Sequence, residues 1–96
     1  MLKSRAHVVV SGRVQGVAFR MATQMEAERV GVCGWVRNCP TGEVEVLLEG
    51  PHKAVEAMIT WCHKGPPAAR VTHVAVIRTE LAETEKHLLQ DFRIVY

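Results

Sequence analysis

Apolar and polar positions alternate with two different periods along this chain, and the changes of period mark its elements. His7 to Val10 is a short β-branched run inside a strand predicted over residues 6–11, continuous enough to lie between two other strands. Gly12 ends it, and a loop carries the chain to a helix over 21–30, where Ala22, Met25 and Arg29 share one stripe with Ala27 and Val30 beside it. Gly31 follows as the left-handed residue that closes such a helix. Residues 32–38 form a second strand, Pro40, Thr41 and Gly42 turn the chain, and from Glu43 the alternation is clean. Val44, Val46 and Leu48 fall on one face, and Glu43, Glu45, Leu47 and Glu49 on the other, with Leu47 marking that face as not wholly solvated.

The period then changes again. Pro51 suits a first helical turn, where its missing N–H has no partner to lose, and Val55, Met58, Ile59 and Cys62 at i, i+3, i+4 and i+7 make one apolar stripe. Gly65-Pro66-Pro67 stops this helix, residues 70–78 supply another strand, Thr79 to Leu89 reads as a solvated connection, and Asp91 to Val95 as a short closing strand. Strand, helix, strand, strand, helix, strand is the order of the split-βαβ, ferredoxin-like α+β sandwich, an antiparallel sheet with two helices on one face. In it the first two strands run parallel with the third between them, so both finish at one edge of the sheet. That edge collects the loop after strand one and Asn38 after strand two.

Composition bounds the rest. Ninety-six residues, 48% of them apolar, make one domain over 1–96 with a single core. The net charge is +2 and the basic residues are scattered, which leaves no nucleic-acid footprint; a small anionic ligand fits better. The N-terminal apolar stretch is too short for a signal peptide, no run reaches membrane-spanning length, and three cysteines without metal-site spacing point to a reducing, cytoplasmic location. Cys33 and Cys39 on one strand lie about 20 Å apart and cannot pair. The histidines at 7, 52, 63, 73 and 87 have no ligand spacing, so neither metal nor cofactor is expected.

The candidate chemistry sits in Ser11 to Arg20. Gly12 and Gly16 permit positive φ or close backbone approach, and Arg20 closes the loop at the mouth of a helix. Loop N–H groups, the free N–H groups of the first helical turn and a guanidinium fork would together cradle a phosphate-like anion, while on spacing alone an ordinary glycine-containing strand-to-helix turn beside an arginine is the alternative. Neither the P-loop lysine motif nor the three-glycine dinucleotide fingerprint is present. On its position alone, Asn38 reads as a cap for the turn that follows it.

GRVQGVAFR at 12–20 resembles the first signature of the acylphosphatase family, and GWVRN at 34–38, followed by Gly42 and VEVLLEG, its second. The Lys64-Gly65-Pro66-Pro67 turn, Arg70-Val71 and Phe92-Arg93-Ile94 are similar too, so the likeness covers nearly the whole chain. The resemblance implies hydrolysis of the carboxyl–phosphate bond of small acyl phosphates. Arg20 falls on the family's phosphate-binding arginine and Asn38 on the asparagine that orients the attacking water. The loop segment Gln15, Gly16, Val17, Ala18 and Phe19 would hold the phosphoryl group, chiefly by its backbone; Val17 and Phe19 read as packing side chains and Gln15 as a loop-shaping one.

No carboxylate lies in GRVQGVAFR or GWVRN, and phosphoryl transfer needs mainly positioning and charge stabilisation, so a general base is not required. Cys39, Ala18 and Thr41 are positions where the family varies, and Cys39 is read as a bystander. Trp35 and Trp61 read as half-buried aromatics. The expected partners are a small acyl phosphate and inorganic phosphate as product and inhibitor, with no nucleic acid and no membrane, for a monomer. A non-catalytic phosphate- or acyl-phosphate-binding module is the alternative; an RNA-binding sheet would need aromatics on the central strands, which have none.

Overall fold

The computed structural model describes residues 2–81 and 89–96. Its order is β1 (Lys3–Arg13), α1 (Phe19–Val30), β2 (Cys33–Asn38), β3 (Val44–Pro51), α2 (His52–Cys62), β4 (Arg70–Leu81) and β5 (Phe92–Val95). One sheet with strand order β4-β1-β3-β2-β5 forms the base. Both helices contribute to the single core cluster that covers it. The ferredoxin-like α+β architecture is therefore as expected. The β1–β3, β1–β4 and β2–β3 pairs are antiparallel, while β5 adds parallel to β2, which makes the complete sheet mixed.

The strict twofold alternation of β1 explains its place. Ser4, Ala6, Val8 and Val10 are buried beneath the helices, while Arg5, His7 and Val9 lie half-buried on the opposite face. The strand is longer than its apolar run because Lys3 to Arg5 still pair with β3 and β4 on either side. Gly12 does not end the strand. It sits at a β-bulge with φ +122°, where the Arg70 carbonyl of β4 comes so close that a Cβ would lie 2.2 Å from it.

α1 differs from expectation in its start and its buried face. It begins at Phe19, and the buried positions are Phe19, Thr23 and Ala27, whereas Met21 and Met25 are exposed. Thr23 can be buried because its hydroxyl donates to the Phe19 carbonyl at 2.7 Å, leaving no orphaned polar group. Gly31 closes the helix in the left-handed region, its N–H donating to the Ala27 carbonyl at 2.9 Å. α2 buries all four of Val55, Met58, Ile59 and Cys62, with Pro51 just ahead of the first helical residue.

The polar face of β3 is a half-buried ionic layer. Glu45 accepts from Arg37 Nε at 2.5 Å and pairs with His7, and the buried Glu49 accepts from Arg5 Nε at 2.6 Å. Leu47 lies between them, paired across the sheet with His7 and Trp35. β4 continues through Thr79 to Leu81, beyond the predicted end at 78; the remainder of the predicted connection, 82–88, lies outside the described residues. Among the described residues no helix is long and apolar enough to cross a membrane.

Candidate active site

β1 and β2 do not touch. β3 lies between them, so at about 5 Å per strand their ends are about 10 Å apart. Both point to the same edge, and there a cavity of about 210 Å³ opens between the loop after β1 and the end of β2. Gly16, Ala18, Arg20 and Asn38 line it together. Val14, Phe19, Met21, Ile94 and Tyr96 form the rest of its wall.

Gly16 has φ +75° and Ala18 φ +63°, ψ 27°, so two left-handed residues flank Val17. For alanine this conformation costs about 1–2 kcal/mol, a local strain of the kind that collects at ligand sites. Ala18 also precedes the first residue of α1, and its carbonyl accepts the Ala22 N–H at 3.0 Å. No backbone N–H from Gly16 to Met21 has an acceptor among the described residues. These donors lie at and just before the N-terminus of α1, the end of a helix that favours an anion.

Arg20, the second residue of α1, places a positive charge on the cavity wall. Among the described residues its guanidinium has no carboxylate partner and lies 5.0 Å from the centroid of the Tyr96 ring. The planar fork is thus held by stacking and its N–H groups remain available. Asn38 ends β2 opposite Val44, and its neutral amide can accept from water and donate to an oxyanion at once. The nearby turn carboxylate, Glu43, is occupied by the Thr41 hydroxyl at 2.8 Å and is not part of the wall.

Of the other predicted site residues, Phe19 lines the cavity wall, while Gln15 and Val17 do not. Gln15 turns its side chain away from the cavity, its Nε2 donating to the Cys39 and Glu43 carbonyls at 2.8 and 2.9 Å. Val17 is buried in the core, and Phe19 packs edge-on against Trp61 with ring centroids 5.6 Å apart. Trp35 is not among the lining residues. Ile94 and Tyr96 are two wall residues that sequence reasoning missed; the parallel pairing of β5 with β2 brings them in from far along the chain. No group of three or more His, Cys, Asp or Glu residues able to hold a metal ion occurs among the described residues.

Comparison with known proteins agrees with this geometry. The acylphosphatase family model matches residues 6–94. An acylphosphatase of Thermococcus kodakarensis is 48% identical over 95 residues, covering 99% of each chain. The crystal structure of acylphosphatase from Bacillus subtilis superposes with a TM-score of 0.87 at 36% identity, covering 97% of this chain and 99% of that one. A segment amounting to 12% of full-length HypF, a structure in the phosphate- and nucleotide-bound form, superposes on the whole of this chain with a TM-score of 0.76 at 26% identity. The two family motifs, the five-stranded sheet beneath two helices and a family-model match running almost end to end leave one conclusion: this chain belongs to the acylphosphatase family of hydrolases.

Proposed function

We propose that the cavity hydrolyses small acyl phosphates by in-line attack of a water molecule on phosphorus, with Arg20 and the loop N–H groups of residues 15–19 holding the phosphoryl group and Asn38 holding the water. The observation that carries this reading is that Arg20 and Asn38 face the same cavity from elements that share no hydrogen bond. The forming bond joins the water oxygen to phosphorus, the breaking bond joins phosphorus to the acyl oxygen, and the carboxylate departs with the electron pair. The water proton passes to a phosphoryl oxygen, which needs no protein carboxylate; no Asp or Glu is among the described residues that line the cavity. Charge building on the phosphoryl oxygens meets a guanidinium and fixed backbone dipoles, the preorganised arrangement that stabilises such a transition state. The carboxylate is already a good leaving group, so no further activation of the substrate is required.

The test is hydrolysis of benzoyl phosphate by the purified protein and by Asn38→Ala. The native protein turns it over in the presence of a chelator. Asn38→Ala lowers kcat about 10²- to 10³-fold while leaving inhibition by inorganic phosphate nearly unchanged, because the amide acts on the water and not on the bound phosphate. Benzoyl phosphate decaying at its background rate would instead favour a phosphate-binding module, a reading that the likeness to a small segment of HypF keeps in view.

A further inference from the structure

The cavity needs its two halves held in register, and no strand pairing does this directly because β3 separates β1 from β2. Among the described residues, one side chain ties the loop after β1 to the backbone of the turn after β2. Gln15, in the loop, sends both N–H groups of its carboxamide into the turn that begins one residue after Asn38, at 2.8 Å to the Cys39 carbonyl and 2.9 Å to the Glu43 carbonyl. Those carbonyls close the turn. The Cys39 carbonyl also accepts the Gly42 N–H at 3.0 Å, and the Glu43 carbonyl accepts the Cys39 N–H at 2.8 Å. Each therefore receives two donors, and the amide nitrogen of Gln15 has none left for a ligand.

From this we infer that Gln15 is a positioning residue for hydrolysis: it locks the turn after Asn38 to the anion loop and so sets where Asn38 places water relative to the phosphoryl group. The inference rests on the water-orienting reading of Asn38 proposed above. Gln15 stands one residue before Gly16, so a shift of the turn relative to the loop is a shift of the water relative to phosphorus. A misplacement of about 1 Å in a reacting geometry costs up to about 100-fold in rate. Strand pairing at Asn38–Val44 fixes the hairpin to itself, and Ser11 Oγ on β1 reaches only the Glu43 carboxylate, at 3.4 Å; among the described side chains Gln15 is the one that hydrogen-bonds the backbone of the hairpin turn from the segment after β1.

The experiment is a double-mutant cycle in kcat on benzoyl phosphate with Gln15→Met and Asn38→Ala, with phosphate inhibition measured for every variant. Gln15→Met keeps the length of the side chain and removes its donors. It should lower kcat about 10- to 100-fold with phosphate inhibition unchanged, and have little further effect in the Asn38→Ala background. Equal, multiplying losses in both backgrounds overturn the inference, as does weakened phosphate inhibition, which would put Gln15 on the ligand. A normal kcat for Asn38→Ala sinks the water-orienting reading and this inference with it; a low kcat there with a normal one for Gln15→Met sinks only the inference.

Gln15→Glu provides a second readout within one folded variant. A carboxylate facing two carbonyl oxygens repels them, whereas the protonated acid can donate to one, and those surroundings raise its pKa above the ordinary value of about 4.3. The kcat of Gln15→Glu relative to native should therefore recover as pH falls through that titration. A ratio that stays flat with pH means the amide only fills space.

Discussion

The ring of Phe19 rests on the backbone of Gly65: a Cβ added to that glycine would lie 2.5 Å from Phe19 Cε2 and 3.2 Å from Cδ2. Phe19 opens α1 immediately before Arg20, and Gly65 ends the turn that follows α2, its N–H donating to the Trp61 carbonyl at 2.8 Å. The contact thus anchors the helix mouth that carries the guanidinium. Gly65 has φ +68°, and Phe19 is 2% exposed and already packed on Trp61, so the ring has little room to retreat. Gly65→Ala should cost about 2–4 kcal/mol, from left-handed strain together with overpacking, and should weaken phosphate inhibition by displacing Arg20. Urea denaturation gives the first quantity and a competition assay the second. A stability within experimental error of native would show that the ring does not bear on Gly65.

Where burial follows a simple period, the sequence was readable. The alternation from Val44 to Leu48 and the Val55, Met58, Ile59, Cys62 stripe each became the buried face expected of it. α1 was misread because Thr23 looks polar until the Phe19 carbonyl is known to accept its hydroxyl, and because Met21 and Met25 look apolar although they are exposed. The left-handed Ala18 has no sequence signal, since alanine carries no preference for that region; the loop's closure imposes it. Ile94 and Tyr96 reach the cavity through a parallel pairing that is long-range in sequence, which local patterns do not encode. Two long motifs single out Arg20 and Asn38 in the sequence; that both line one cavity required the fold.

Acid should destabilise the sheet face that carries Glu45. Partial burial works to raise its pKa, but hydrogen bonds from His7 and Arg37 outweigh that, and the net shift is downward. A carboxyl whose folded pKa is depressed contributes stability that is present above its unfolded value, about 4.3, and lost as pH falls through the folded one. The urea midpoint should therefore drop as pH is lowered from 6 to 3, and Glu45→Gln should flatten that limb. An acid limb of unchanged steepness in Glu45→Gln would assign the loss to other carboxylates.

The opposite limb belongs to Cys62. Burial in the core pushes its thiol up to about 12, while an unfolded thiol titrates near about 8.5. A group whose folded pKa is raised stabilises fully below the unfolded value, and that contribution declines as pH rises from there towards the folded one. Stability should fall between pH 8.5 and 10 with a slope that Cys62→Ala reduces, the half-buried Cys33, whose thiol burial also pushes up, contributing to what remains, even though the substitution lowers stability overall by leaving a cavity. In the native protein a thiol reagent should modify Cys62 only at the rate of unfolding, after the half-buried Cys33 and Cys39. Early labelling of Cys62 would contradict its burial.

The assignment of Arg20 is open to a test that keeps its charge. Arg20→Lys retains one positive charge at the helix mouth but replaces a planar fork with a point donor that cannot hold two phosphoryl oxygens in one plane or stack on Tyr96 in the same way. Arg20 makes no ion pair with a described carboxylate, so the substitution should leave urea stability close to native and act on ligand alone. In native protein, inorganic phosphate at about 100 times its dissociation constant should add about 2.7 kcal/mol to stability, since it binds the folded state only. Chloride at matched ionic strength should not. In Arg20→Lys the same phosphate concentration should add far less, and kcat/KM should fall together with phosphate affinity, in contrast to Asn38→Ala, where only turnover falls. Near-native kinetics and undiminished phosphate protection in Arg20→Lys would reduce the arginine to a steering charge, and the cradle would then have to be built from the loop N–H groups alone.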